Sequence, residues 1–209
     1  MVGVGPLKRS VLARVTMVSY DGDTLLDAFV RIEEKVSDYR TSVSGVHPGD
    51  LTSDKALSFG EVRRRVMLLL EGKVLVGHGL ENDLRVLNIG HPWHMTRDTS
   101  LYTTFMRLDS YGCFNQGSLK YLARRFLGKC IQESTHCSKE DACTAMDLYK
   151  LVKAEWDYTI ITAVQRTGPM RGMSSFCPPP TAPTGPSYSW MGNYCDTSSM
   201  ESRRFYRNE

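Results

Sequence analysis

Two acidic residues and one histidine have the side chains and the positions that chemistry on a bound ligand requires. Asp83 follows an apolar segment through residues 77–79, and His136 comes five residues before Asp141, near the start of a helix-like segment. Ligands of open α/β sheets bind where strands end and helices begin, and all three positions are of this kind. A histidine with suitable neighbours can act as a general base. The three residues are therefore the candidate site.

Each of the three also has a purely structural explanation. Asp83 lies in the first turn of a predicted helix, where the helix dipole favours an acid. Asp141 is the fourth residue of Ser138-Lys139-Glu140-Asp141, which fits a capping box with Ser138 as the cap. His136 lies on a loop, where a solvent-exposed histidine is the usual case. Taken singly, none of these residues establishes a function.

The segments that must position these residues begin with two strands and continue with helices that alternate with short strands. Residues 11–18 are typical of a strand buried on both sides, and a turn at Asp21-Gly22 predicts an antiparallel hairpin with a second strand over 24–32. Further helices are predicted over 59–70, from near Glu81, over 118–127 and behind Ser138, with short strands over 74–76 and 96–99. This order indicates a mixed α/β sheet with helices on its faces.

The composition is that of a soluble globular protein. Charged residues make up 23% of the 209 positions and hydrophobic residues 41%, and the net charge of +3 permits nucleic-acid binding without requiring it. No run approaches the roughly 18 apolar residues of a membrane helix, and the N-terminus lacks the order of a signal peptide. The six cysteines show no C-x-x-C spacing, so neither a zinc ribbon nor a disulfide framework is indicated and a reducing intracellular compartment is expected.

The C-terminal part differs in composition from the rest. Six of the nine prolines lie between Pro169 and Pro186, interleaved with Gly, Ser and Thr. We therefore expect a domain over 1–157 and a C-terminal extension over 158–209 that is mostly disordered from about residue 166. Its basic and aromatic end over 202–207 could contact RNA or a partner, or could be simply solvated.

Several separated segments match one family in the right order. They are Met1-Val2-Gly3-Val4-Gly5-Pro6, Leu12-Ala13-Arg14, Asp38-Tyr39-Arg40-Thr41 with Ser44-Gly45, Val76-Gly77-His78 with Asn82-Asp83, Arg97-Asp98-Thr99, Ser118-Leu119-Lys120 and His136-Cys137-Ser138-Lys139-Glu140-Asp141-Ala142. From Met1 to about Trp156, the chain thus resembles the interferon-stimulated and apoptosis-enhancing nuclease branch of the RNA exonucleases, which are DEDD-type 3′→5′ exonucleases with a catalytic histidine.

The resemblance implies an α/β, ribonuclease-H-like mixed sheet flanked by helices. In that family four acids hold two Mg²⁺ or Mn²⁺ ions at the 3′ end of RNA or single-stranded DNA, and two cations stabilise both the attacking and the leaving oxygen. Asp83 resembles the metal-binding acid of the second motif and Asp141 that of the third. His136 resembles the general base that accepts a proton from the attacking water.

Two further residues resemble those that contact the terminal nucleotide in this branch. Met1 and Arg40 match positions that flank it and favour a ribose over a deoxyribose. An ordinary surface ion pair is the alternative explanation for Arg40. For Asp98, capping of the next turn is a simpler expectation than a supporting role at the site.

The resemblance also implies that part of the site is missing. In the family, a strand ending Asp-Cys-Glu precedes the Met-Val-Gly segment and supplies the first two metal-binding acids, whereas residues 1–20 contain no Asp or Glu. We therefore expect the first central strand to be missing from the sheet. Unpaired backbone groups beside it predict poor folding or aggregation of the isolated chain.

Three interpretations follow. The first is that Met1 is an internal methionine of a longer, nuclear or nucleolar exonuclease that acts on nucleic-acid 3′ ends and contacts no membrane. The second is a short, catalytically inactive module that binds nucleic acid or a partner. The third is an α/β interaction domain unrelated to nucleases.

Overall fold

The computed structural model describes residues 1–108, 110, 112–133 and 136–167. The strands are β1 (Val2–Val4), β2 (Arg9–Val11), β3 (Arg14–Val18), β4 (Thr24–Phe29), β5 (Val36–Asp38), β6 (Leu75–Gly77), β7 (Thr96–Asp98), β8 (Arg107–Leu108) and β9 (Phe114–Asn115). The helices are α1 (Thr41–Ser44), α2 (Pro48–Thr52), α3 (Phe59–Leu70), α4 (Leu80–Leu87), α5 (Leu119–Leu122) and α6 (Ser138–Thr167).

The predicted hairpin is present as β3 and β4, which pair antiparallel along their length. Its turn needs a positive φ, and Gly22 supplies it with φ 94°. Ahead of the hairpin, β1 lies between β2 and β5 and is antiparallel to both. Behind it, β6 and β7 form a parallel pair. Strands and helices therefore build the mixed α/β architecture that the sequence predicts.

The sheet is interrupted between β3 and β6. Within the described residues, β3 pairs only with β4 and β6 pairs only with β7, yet α6 packs against both β3 and β6. Thr16 on β3 lies 2.7 Å from Ser138 at the start of α6, measured between their hydroxyl oxygens. The helix α6 therefore packs on two strand pairs that are not hydrogen-bonded to each other within the described residues. The absence of a central strand stays a prediction.

Two hydrophobic clusters fix the helices that carry the candidate residues. The first joins the hairpin to α3 and α4 through buried residues that include Leu26, Ala28, Val62, Val66 and Leu87. The second joins α5 to α6 through residues that include Phe105, Leu119, Leu122, Ala145 and Leu148. Ser58 caps α3, because its Oγ accepts a hydrogen bond of 3.3 Å from the backbone of Glu61. The spacing of apolar residues therefore predicted these helices well.

Two predicted elements differ from the structure. The single strand over 11–18 is divided, because the chain leaves the sheet of β1 at Leu12-Ala13 and enters the hairpin at Arg14. β3 is half-buried along its length rather than buried on both sides. The helix over 118–127 is α5 followed by a π-helical segment, Ala123–Leu127. Apolar periodicity predicts strands and helices, but no comparable sequence signal predicts the break at Leu12-Ala13 or the π-helical segment Ala123–Leu127.

The helix α6 is continuous across the predicted domain boundary at residue 157 and ends at Thr167. The predicted disordered tail lies outside the described residues, and the boundary itself stays a prediction. No described helix is both long and apolar enough to cross a membrane. Cys130, Cys137 and Cys143 are free thiols.

Candidate active site

Asp83 lies in the first turn of α4, where the sequence predicts it. The buried side chains of Leu80, Leu84 and Leu87 hold this helix on the core. Asp83 is accessible to solvent but lies in a recess, and desolvation raises the pKa of its carboxyl, although the positive N-terminus of the chain acts in the opposite direction. Within the described residues its carboxylate accepts no hydrogen bond, so it is available to a ligand.

Asp98 fixes the helix that carries Asp83. Its buried carboxylate accepts hydrogen bonds from the backbone amides of Gly79 at 2.8 Å and of Leu80 at 2.7 Å, at the N-terminus of α4. It also accepts one from Ser100 at 2.9 Å, which is the predicted cap of its own turn. The expectation for Asp98 was therefore incomplete, because the same carboxylate also satisfies free amides of a second element.

His136 and Asp141 lie side by side at the start of α6. Their nearest polar atoms, Nδ1 and Oδ2, are 3.9 Å apart, and both side chains are about three-quarters buried, with 25% and 27% exposed. The other oxygen of Asp141 accepts a hydrogen bond of 2.7 Å from Gln132 Nε2. Asp141 Oδ2 therefore points toward the histidine while Oδ1 is held in place.

The capping box predicted at Ser138 is not the arrangement that the structure has. Ser138 is the first helical residue rather than the cap, and its hydroxyl pairs with Thr16. The backbone amide of Asp141 donates to Cys137 O at 3.0 Å. The capping explanation for the Asp141 carboxylate is therefore wrong, because the hydroxyl that should complete the box is used to attach α6 to β3.

His78 connects the two halves of the site. Its Nδ1 lies 3.0 Å from Thr99 Oγ1, and it also makes a hydrogen bond with the backbone of Gly117. Burial lowers the pKa of His78, while the charges of Asp98 and Asp141 raise it. Asp98 in turn lies close enough to Asp83 to raise the pKa of that carboxyl. Charge interactions therefore link Asp83 to Asp98, and both Asp98 and Asp141 to His78.

Met1 and Arg40 lie near Asp83. The α-amino group of Met1 is close enough to Asp83 and Arg40 for both charges to influence its pKa, which desolvation lowers. Arg40 donates to Ser10 Oγ at 2.8 Å and to Lys8 O at 2.9 Å, and no described carboxylate forms a salt bridge with it. The surface ion pair suggested as the alternative for Arg40 is therefore not what the described residues form.

The sequence of this chain is similar to the sequences of several known nucleases. No family model matches the sequence. The chain is 42% identical over 158 residues to RNA exonuclease 4 of Homo sapiens, covering 75% of this chain and 36% of that protein. It is 44% identical over 160 residues to apoptosis-enhancing nuclease of Pongo abelii, covering 75% of this chain and 49% of that protein. The chain thus spans less than half the length of these relatives.

A solved structure agrees with these relatives. The Saccharomyces cerevisiae Pan2 pseudoubiquitin hydrolase and RNA exonuclease module in complex with A7 RNA is 34% identical to this chain, with a TM-score of 0.63, covering 80% of this chain and 30% of that one. The chain belongs to the DEDDh-type exonuclease family. The fold class predicted from the motifs, a ribonuclease-H-like mixed α/β sheet with flanking helices, is therefore confirmed.

Exonucleases of this family depend in general on divalent metal ions. In this chain, Asp83 and Asp141 provide carboxylate oxygens of the kind that hard cations prefer, and Asp83 has no competing hydrogen bond from a described residue. No group of three or more His, Cys, Asp or Glu side chains within the described residues is arranged to hold a metal ion. The donor set thus fits part of a metal site.

Sequence reasoning did not single out His78 and Gln132, which bond to residues near or in the candidate site. His78 has a signal in the sequence, because it directly follows an apolar strand and precedes a helix. Gln132 has none, because its contact with Asp141 depends on the positive φ of 56° that Gln132 adopts and on how the loop before α6 folds back. Only the structure can show such a residue.

Proposed function

We propose that this protein removes nucleotides from the 3′ ends of RNA or single-stranded DNA. The observation that carries the proposal is the pairing of His136 with Asp141, whose Nδ1 and Oδ2 atoms are 3.9 Å apart at the start of α6. Asp83, in the first turn of α4, adds a carboxylate that accepts no hydrogen bond from a described residue. The names of the relatives and the RNA in the Pan2 structure support it.

The proposed chemistry is hydrolysis of the terminal phosphodiester. A water oxygen bonds to phosphorus, the bond to the 3′ oxygen of the preceding nucleotide breaks, and a nucleoside 5′-monophosphate leaves. His136 accepts the proton of the water, and Asp141 beside it stabilises the resulting imidazolium. Asp83 and Asp141 would hold a divalent cation, Mg²⁺ or Mn²⁺, which when bound stabilises the attacking and the leaving oxygens. Met1 and Arg40 would contact the terminal nucleotide and favour a ribose.

The test of the proposal uses a 5′-labelled single-stranded RNA with either a 3′ hydroxyl or a blocked 3′ end. We expect shortening from the 3′ hydroxyl end only in the presence of Mg²⁺ or Mn²⁺, by a chain extended at its N-terminus with an Asp-Cys-Glu strand. Asp83→Ala, Asp141→Ala and His136→Ala should each reduce the rate by at least about a hundredfold. Undiminished cleavage by Asp83→Ala and Asp141→Ala would contradict the site assignment.

A second candidate function is favoured by the lack of a complete metal-binding group within the described residues. A chain without the first strand would bind nucleic acid or a partner without cleaving it. Cleavage of the same RNA by the 209-residue chain and by the chain with the added strand distinguishes the two functions. Cleavage by the longer chain alone supports an exonuclease with an incomplete fragment, and cleavage by neither supports a binding module.

We also propose that the protein works in the nucleus or nucleolus, which rests on the resemblance to nuclear members of the branch. Imaging of the endogenously tagged protein tests this. An exclusively cytoplasmic signal would contradict it.

A further inference from the structure

A cluster of arginines and aromatic residues lies outside the candidate active site. The guanidinium carbon of Arg107 on β8 lies 4.8 Å from the centre of the Tyr121 ring on α5. Arg125, in the π-helical segment, donates to the Tyr121 hydroxyl at 3.1 Å and lies 5.6 Å from the Phe126 ring centre. The β8–β9 hairpin and the helical segment that follows it thus converge on one aromatic ring.

The β8–β9 hairpin also exposes apolar side chains. Leu108 and Phe114 pair across it, on the face opposite to Arg107, and are 64% and 48% exposed. A cavity of about 250 Å³ lies between the hairpin and the helix, lined in part by Arg107, Leu108, Tyr121 and Arg125. An exposed ring on a hairpin that also carries an arginine suits a ligand with flat rings and negative charge. We call Arg107, Leu108, Phe114, Tyr121 and Arg125 the hairpin–helix surface.

The charge of this region matches such a ligand. Between residues 100 and 133 the basic residues are Arg107, Lys120, Arg124, Arg125 and Lys129, and the acidic ones are Asp109 and Glu133. No salt bridge with a described carboxylate involves Arg107, Arg124 or Arg125. Stacking of a guanidinium on a ring leaves its N–H edges directed outward, where they can bind phosphate. The surface therefore combines phosphate donors with stacking platforms.

The surface is connected to the candidate active site by short contacts. Lys120, next to Tyr121 on α5, donates a hydrogen bond of 3.0 Å from its Nζ to Gln132 O. Gln132 in turn donates to the Asp141 carboxylate at 2.7 Å. A segment of π-helix, Ala123–Leu127, carries Arg125, and such segments are frequent at functional sites. A strand with its 3′ end at Asp141 can reach this surface with the nucleotides that precede that end.

We propose that the hairpin–helix surface binds the upstream part of a single-stranded RNA whose 3′ end lies in the active site. Phe114 stacks on a base, and Arg107 and Arg125 bind phosphates. This inference rests on the proposed function for the direction of the strand, and it gives that function a second contact region. Single-stranded rather than paired nucleic acid is the ligand, because only unpaired bases expose faces for stacking.

The experiment measures binding of a 5′-fluorescein 12-nucleotide RNA to the 209-residue chain by anisotropy, with EDTA present, at several salt concentrations. Arg107→Ala/Arg125→Ala should weaken affinity at least about tenfold and make the slope of log affinity against log salt shallower by about 1.4, for two lost phosphate contacts. Phe114→Ala should weaken affinity by a similar factor with an unchanged slope, because a stacked base carries no charge. Thermal unfolding of each variant checks that the fold is intact.

Matched variants separate this surface from general basic charge. Arg64→Ala removes an exposed arginine on α3, far from the site, and should leave affinity and slope unchanged. Arg107→Lys/Arg125→Lys should keep the slope and lose part of the affinity, because lysine keeps the charge without the planar stacking. Wild-type affinity in both the double alanine variant and Phe114→Ala would overturn the proposal, as would equal affinity of the wild type for a duplex of the same length.

The outcome does not depend on catalysis, because EDTA removes divalent cations. Strand binding that needs Arg107 and Arg125, without cleavage by either the 209-residue chain or the chain with the added strand, would contradict the proposed exonuclease activity and support this inference. Cleavage that depends on Asp83, together with RNA binding that the surface variants do not affect, would support the proposed function and contradict this inference.

Discussion

Asp98 Oδ2 accepts a hydrogen bond of 2.7 Å from the backbone amide of Leu80, the first residue of the helix that carries Asp83. Because Asp98 also binds Gly79 and Ser100, its removal leaves three backbone amides, two of them buried, without their acceptor. We expect Asp98→Ala to lower the free energy of unfolding by about 1–3 kcal/mol. Urea denaturation measures this, and hydrogen exchange should show faster exchange of the α4 amides.

The matched control for Asp98 is a carboxylate that caps a distant helix. Asp50 accepts a hydrogen bond of 2.8 Å from the backbone of His47 at the start of α2. Asp50→Ala should cost about 1 kcal/mol without any change in exchange of the α4 amides. Equal exchange of α4 in both variants would mean that Asp98 does not hold the helix of Asp83.

The ion pair between Arg97 and Asp157 fixes α6 on β7. Arg97 is 4% exposed, its Nη2 lies 2.9 Å from Asp157 Oδ1, and the Tyr149 hydroxyl donates to the same carboxylate at 2.8 Å. Asp157→Ala leaves a buried guanidinium without its carboxylate, so we expect a loss of about 3 kcal/mol of stability. Asp147→Ala, which removes the exposed partner of Lys129, should cost less than about 1 kcal/mol. Equal losses in the two variants would refute the role of the buried pair.

The hairpin contains a pair that makes stability depend on pH. Arg14 donates two hydrogen bonds to Asp27, at 2.8 Å and 2.7 Å, and these lower the pKa of the Asp27 carboxyl below its ordinary 3.8, together with a hydrogen bond from Thr16 and against desolvation. A carboxyl with a lowered pKa in the folded state stabilises it fully above the ordinary pKa. That stabilisation disappears as the pH falls through the folded-state pKa.

The corresponding measurement compares the wild type with Asp27→Asn by urea denaturation between about pH 3 and 7. The difference in stability should be about 0.5–1 kcal/mol at neutral pH, because the pair is partly exposed, and should shrink as the pH falls below about 5. The control is Asp54→Asn, an exposed carboxylate without a salt bridge to a described residue. A difference for Asp27→Asn that is constant across this range would show that the pair does not titrate as the structure implies.

Local patterns predicted the parts of the fold that depend on neighbours in sequence. The β3–β4 hairpin follows from a turn between two apolar segments, and α3 follows from a capping Ser58 and apolar periodicity. Asp83 was placed correctly for the same reason, because the residues around it alone predict a helix beginning after a strand. These signals lie within about one turn or one strand, so no tertiary information is needed.

Long-range contacts account for what sequence reasoning missed. Ser138 has the right spacing for a capping box, but a hydroxyl 122 positions earlier, that of Thr16, pairs with it instead. The contact of Gln132 with Asp141 and the two-element role of Asp98 likewise depend on how separate segments pack. A local pattern states what a side chain can do, and the tertiary fold decides which partner it has.

Gly77 packs so closely against α4 that a larger residue there should destabilise the protein. A Cβ at Gly77 would lie 2.8 Å from Cγ of Leu80, which is 7% exposed and cannot move aside freely. We expect Gly77→Ala to lower stability by about 1–3 kcal/mol and to displace the helix of Asp83. Gly60→Ala on α3, where an added Cβ meets nothing within 4 Å, should be neutral or stabilising. Thermal and urea unfolding of the two variants test the pair, since loss of stability at Gly60 but not at Gly77 would contradict the packing described.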